Sequence, residues 1–189
     1  MGSWKLAAYG FEPGTRGRTP STWPASSPVG LAADRPTLIL FAHARCACTQ
    51  ATLSELMLLM TRCGGLVRAH VLVYRPRTDA DAWVDSPTWR GAAAIPGVDV
   101  AWDDDGQAAE LFGATTSGHV VLYDEAGCLL FSGGITASRG HSGDNAGRTA
   151  LTRLLEGRGA KQAAVAAAPA TTPVFGCAIV ARDREGGQR

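Results

Sequence analysis

The sequence predicts an α/β fold: a central mixed β-sheet flanked by helices, with an extended N-terminal arm and a C-terminal tail. Three observations predict it. An apolar run, Thr37 to Ala42, gives way to a helical recurrence of Leu53, Leu56, Met57 and Met60 at i, i+3, i+4 and i+7, and a second apolar run follows, which spells β-α-β. The turn D-E-A-G between His119–Tyr123 and Cys128–Ser132 marks a hairpin, with Gly127 supplying a positive φ. A last amphipathic segment, about Ala146 to Glu156, is capped by Asp144 or Asn145, turns Leu151, Leu154 and Leu155 inward and stops at Gly157.

Residues 1–36 hold Pro13, Pro20, Pro24, Pro28 and Pro36 among Gly, Ser and Thr, a spacing too close for a long helix or a central strand. They read as an arm laid over the domain, anchored by Trp4, Tyr9, Phe11 and Trp23. The domain itself is expected over residues 37–157. After the first helix, Gly64-Gly65 stop it and Leu66 to Arg75 forms a strand with Val67, Ala69, Val71 and Val73 on one face, His70 being structural. Residues 76–97 are irregular around the Ser86-Pro87 break, with one or two helical turns. A short strand, Val98 to Trp102, precedes a small helix over Asp103 to Phe112, started by a carboxylate cap and stopped by Gly113. The acidic run Asp103-Asp104-Asp105 reads as a solvated helix start, despite its look of a metal site. Residues 158–189 form an Ala-rich linker and a tail, in which T-P-V-F-G-C-A-I-V (Thr172 to Val180) is a docking segment and the last residues are frayed.

At 189 residues the chain can bury a real core without staples, and its formal charge of +1 gives no concentrated basic face for nucleic acid or an anionic membrane. No apolar run approaches the roughly 20 residues of a membrane span, and the N-terminus lacks a signal-peptide core. The chain therefore reads as soluble and, as written, cytoplasmic, with an extracytoplasmic location equally open to it. Its 5 cysteines form no disulfide framework and leave at least one thiol unpaired.

Cys46 and Cys48 fall where the first strand meets the first helix, the positive end of the helix dipole. Such a terminus, with Arg45 adjacent and His43 nearby, lowers a thiol pKa and raises its thiolate fraction. Cys46 reads as the more exposed thiol and the nucleophile, and Thr49 as a cap or a hydroxyl donor to its thiolate. The two are awkward partners for a mutual bridge, because residues two apart point to opposite sides of a helix or stand about 6 to 7 Å apart in extended chain. Cys63 and Cys128 lie on the order of 20 Å from the junction and read as buried structural thiols. Cys177 remains as the one long-range resolving thiol, with mere packing of its apolar segment on a hydrophobic edge as the plainer alternative.

In its element order and its cysteine placement, residues 36–157 resemble the thioredoxin-like fold. The strand before the cysteines and V-V-L-Y-D-E-A-G-C-L-L-F-S-G are similar to the TlpA and peroxiredoxin-like branch. More narrowly, H-A-R-C-A-C-T, T-S-G-H-V-V-L-Y-D, G-G-I-T-A-S-R-G-H-S-G-D-N-A-G and T-P-V-F-G-C resemble a bacterial group known as RedB. The resemblance implies a thiol-disulfide oxidoreductase acting on a protein thiol or disulfide, or a reductase of a small oxidant such as a peroxide. It puts Ser117 and Gly118, in T-T-S-G-H, at the site, with Gly118 where thioredoxins carry a cis-proline. Their two-residue spacing between cysteines is here reduced to Ala47.

The Gly133 to Gly147 loop carries Arg139, His141, Asp144 and Asn145 and is read as a pocket wall, with a capped turn into the last helix as the plainer alternative; His119 is read as a further neighbour or as a structural histidine. No resident cofactor is expected. The alternative is Cu(I), a soft ion that Cys46 and Cys48 would hold with His43 or His141.

Overall fold

The computed structural model describes residues 10–83, 85–157 and 168–179, the side chains of Asp79, Asp81 and Ala82 excepted. Its strands are β1 (Thr37–His43), β2 (Arg68–Arg75), β3 (Val98–Asp104), β4 (His119–Tyr123), β5 (Leu129–Gly134) and β6 (Ala170–Thr171). The helices are α1 (Thr49–Cys63), α2 (Pro87–Ala93), α3 (Gln107–Leu111) and α4 (Ala146–Glu156), with tight 3-10 turns at Gly64–Leu66 and Arg77–Trp83.

One sheet runs in the order β3-β2-β1-β4-β5-β6. β1 pairs in parallel with β2 and antiparallel with β4, so Leu40 stands between Val71 and Val120. β2 pairs in parallel with β3, β4 antiparallel with β5, and β5 in parallel with the short β6 from the tail. The central strand is buried on both faces, which is why Thr37 to Ala42 is apolar without a break. Leu38, Leu40 and Ala42 face a core filled by Leu53, Leu56, Leu59, Met60 and Cys63 of α1 and Leu151 and Leu155 of α4. Ile39 and Phe41 face a second core with Phe112, Val121, Tyr123 and the tail's Ile179.

The arm closes that second core. Trp23 meets Phe112 and Tyr123 edge-on with ring centroids 5.2 Å away in each case, and its backbone N–H donates to Gly127 O at 2.7 Å. The Tyr123 hydroxyl donates to Pro20 O at 2.8 Å. Trp4 and Tyr9 lie outside the described residues, as do residues 158–167 and the end of the tail. Phe11 is no anchor, being 70% exposed.

Several other expectations need correction. Met57 is 43% exposed, and Leu59 lies on the buried stripe instead, three residues after Leu56 and four before Cys63. β2 starts at Arg68 rather than Leu66, since Gly64–Leu66 wind one more tight turn. The strand β3 absorbs Asp103 and Asp104, and α3 is confined to Gln107–Leu111. Asp103 is buried, not solvated: its carboxylate accepts from Ala108 N at 2.8 Å and Ala109 N at 2.9 Å. It is thus the expected carboxylate cap reached from the strand end, with its pKa raised by burial against those two bonds. Cys128 is exposed at the hairpin rather than buried.

Candidate functional site

The site forms where β1 ends and α1 begins. Cys46 N donates to His43 O and Thr49 N to Cys46 O, each at 3.1 Å, a pair of tight turns that carry the chain into the helix with Cys48 as its N-cap residue. Against expectation Cys46 is buried, with 3% exposure, and Cys48 is the more accessible of the two. The cause is the tail, which crosses in front of the junction.

The tail is held by backbone pairing. Ser117 N donates to Cys177 O at 2.8 Å, Ile179 N to Thr115 O at 3.0 Å, and Thr116 and Ala178 form an antiparallel bridge. Val174 and Ile179 are its buried anchors, and Gly14 N from the arm donates to Val174 O at 2.8 Å. Gly176 has no room for a side chain, because a Cβ there would stand 1.9 Å from Ser117 O. This seating brings Cys177 to Cys46.

The three thiols share protons unequally. Burial raises the Cys46 pKa, but hydrogen bonds from the Thr49 hydroxyl, the Cys177 backbone N–H and the Cys177 thiol outweigh it, and the net shift is downward. Cys177 is pushed up to about 11 by burial, by its hydrogen bond to Cys46 and by the Cys46 and Cys48 charges, with Arg139 opposing. Cys48 is also raised, by burial first and then by the Cys46 charge and a hydrogen bond to Cys46. Cys46 is therefore the first of the three to ionise, and its neighbours serve as donors to it.

A hydroxyl relay supports that thiolate. His43 N donates to Ser117 Oγ at 2.8 Å, and Ser117 Oγ and Thr49 Oγ1 lie 2.8 Å apart. With Thr49 donating to Cys46, Ser117 donates to Thr49, so each hydroxyl accepts one bond and gives one. Gly118 adopts φ +91°, and its N–H donates to Phe41 O at 2.8 Å. No cis peptide occurs among the described residues, so the Ser117-Gly118 turn reaches the site without one.

Other expected residues lie farther out. The Arg45 guanidinium sits over the Trp83 ring, 4.2 Å from its centroid, and is not among the groups that lower Cys46. His43 stacks on Tyr74 with centroids 5.6 Å apart, and burial followed by the Arg45 charge lowers its pKa, keeping it neutral near pH 7. Arg139 does reach the site: it donates to Gly176 O and stabilises charge on Cys48 and Cys177. His141 is exposed, with Nδ1 2.8 Å from Arg139 O, and Asp144 pairs with Arg148. The histidines thus do not converge on the thiols as the Cu(I) alternative requires, and no group of three or more His, Cys, Asp or Glu suited to a metal occurs among the described residues.

The Gly-rich loop is a capped turn into α4, and of its residues Arg139 reaches the thiols. Asn145 Oδ1 accepts from Arg148 N at 2.7 Å as the cap of α4. A residue that sequence reasoning missed fastens the loop to α1. Glu55, 0% exposed, accepts from Gly143 N at 2.6 Å and Asn145 Nδ2 at 3.0 Å, and its Oε2 lies 2.7 Å from Arg148 Nε.

No protein-family model and no curated protein matches the chain. Two solved structures match it along most of its length. An uncharacterized conserved protein from Geobacillus kaustophilus is 17% identical, covers 90% of this chain and 92% of its own, and superposes with a TM-score of 0.58. A hypothetical protein from Sinorhizobium meliloti 1021 is 22% identical, covers 89% of this chain and 93% of its own, and superposes with a TM-score of 0.54. The fold is thioredoxin-like. Cys46 and Cys48 stand at the N-terminus of the first helix of that fold. Among the described residues no helix is long and apolar enough to cross a membrane.

Proposed function

We propose that the protein is a thioredoxin-like thiol-disulfide oxidoreductase in which Cys46 attacks and Cys177 resolves. The observation that carries the reading is the backbone pairing of the tail with Thr115–Ser117, which seats Cys177 beside Cys46 and leaves Cys46 the more readily ionised thiol and Cys177 the proton-bearing one. In the reductive direction the Cys46 thiolate attacks one sulfur of a substrate disulfide, the S–S bond breaks, and the first substrate thiolate leaves. The charge on Cys46 is then gone, so two of the influences that held Cys177 protonated disappear while Arg139 remains. Cys177 loses its proton, attacks Cys46 Sγ and expels the second substrate thiolate. Two electrons have passed from the protein to the substrate, leaving a Cys46–Cys177 disulfide that an external dithiol reduces.

Cys48, raised in pKa and hydrogen-bonded to Cys46, is a proton donor to the thiolate rather than the resolving group. The finer assignment to a RedB-like branch is part of the same proposal, since its T-P-V-F-G-C segment supplies Cys177. The test is mass mapping of disulfides after stoichiometric oxidation, with Cys46→Ser, Cys48→Ser and Cys177→Ser beside the wild type. A Cys46–Cys177 bridge that survives in Cys48→Ser is expected. A bridge confined to Cys46–Cys48, or thiols inert to oxidised glutathione and to a protein disulfide alike, overturns the reading.

A further inference from the structure

On one side of Cys46 the chain has used up its own edge. The backbone of Thr115–Ser117, which an extended polypeptide would otherwise pair with, is taken by Cys177–Ile179 of the tail. On the other side lies an open cleft of about 430 Å³, lined by Arg45, Cys46, Ala47, Gln50, Trp83 and Thr88. That volume suits a small organic molecule rather than a folded partner. Its chemistry is uneven. Trp83 and Ala44 give it an apolar wall. Arg45, held flat on Trp83, has no carboxylate partner among the described residues, while the acidic group on the rim, Asp85, is already paired with Arg90.

Resting on the thiol-disulfide reading above, we propose that the substrate is a low-molecular-weight disulfide with an apolar body and a carboxylate, which Arg45 binds while its disulfide lies at Cys46. The guanidinium pairs with the carboxylate by charge-assisted hydrogen bonds, and Trp83 covers the apolar part. The redox steps are those already written, with both substrate halves leaving as small thiolates and an external dithiol restoring the protein.

The test is the rate of thiolate release from two probe disulfides, the dicarboxylate dithiobis(nitrobenzoate) and the uncharged dithiodipyridine, at one pH and low salt. Arg45→Gln is expected to slow the carboxylate probe about tenfold relative to the uncharged one, the loss of one charge-assisted contact. Taking the ratio removes any common change in thiolate fraction at Cys46. Ala47→Phe, a substitution at an exposed position of the cleft, is expected to slow both probes. If Cys46 reacts with both probes but neither variant changes the rates or their ratio, the cleft assignment is wrong and the exchange chemistry stands. If Cys46→Ser releases thiolate as fast as the wild type, the exchange reading itself is lost.

Discussion

Cys177 is seated beside Cys46 by the pairing of the tail with Thr115–Ser117, and their proximity moves the two acidities apart. Removing Cys46 should therefore make Cys177 more acidic. In Cys46→Ser the influences of Cys46 that raise Cys177 toward about 11 are lost, burial and the Cys48 charge remain, and Arg139 still opposes them, so alkylation of Cys177 at pH 9 should rise several-fold over the wild type. Peptide mapping after a timed iodoacetamide pulse reads this directly. An unchanged rate would mean that burial alone sets the acidity of Cys177.

The hydroxyl of Thr49 should matter more than its methyl. Thr49→Val removes the donor to the Cys46 thiolate, raises its pKa and should slow its alkylation at neutral pH by roughly three- to tenfold, whereas Thr49→Ser should keep most of the rate. A full pH–rate profile separates this from blocked access: the midpoint moves if the hydroxyl acts on acidity, and only the plateau moves if it acts on packing.

Glu55 and Arg148 tie the first helix to the Gly-rich loop. Glu55→Ala leaves Gly143 N–H without its acceptor, takes one of two partners each from Asn145 Nδ2 and Arg148, and should cost about 2 to 3 kcal/mol. The double variant Glu55→Met/Arg148→Met, which takes out both charges and keeps apolar bulk, should lose less than Glu55→Ala alone. Urea unfolding of the set measures this, and additive losses in the corresponding double-mutant cycle would show that the two groups act independently.

His119 provides a pH-dependent term. Its Nε2 lies 2.8 Å from Ser132 Oγ, whose other partner is Thr19 Oγ1 of the arm at 2.7 Å, and its Nδ1 is buried without a partner among the described residues. Burial first and then the Arg16 charge lower its pKa to about 4 from 6.5. The unfolded chain therefore takes up a proton on acidification before the folded one does. Its contribution is complete above pH 6.5, declines as the pH falls toward 4 and levels off below, a loss of roughly 3 kcal/mol. In His119→Gln the difference in urea midpoint between pH 7 and pH 4.5 should shrink by that portion.

Much of the frame is legible in the residues because period and turn chemistry are local. The unbroken apolar run at Thr37 announces a strand covered on both faces, Gly127 announces the hairpin, and Asn145 the start of the last helix. The placement of the cysteines at a helix start is legible for the same reason. What was hidden is tertiary. Cys46 is buried because a distant tail covers it, which no local pattern encodes. Glu55 sits at a helical position where a charge ordinarily meets water, and only the fold reveals Gly143, Asn145 and Arg148 waiting for it. Arg45 looked like an activator of the thiol, but the ring that attracts it lies far along the chain in an irregular segment.

The seating of Gly176 against Ser117 also has a consequence for biosynthesis. The sheet from β1 to β5 and its helices are all encoded before the tail, so on the ribosome they can fold while Cys177 is still inside the exit tunnel. For that interval the junction at Cys46 is uncovered and has no internal partner. A nascent chain stalled before Val174 should thus be captured by thiol reagents at Cys46 far faster than the released protein, and docking of the tail, rather than folding of the sheet, is the event that shields it.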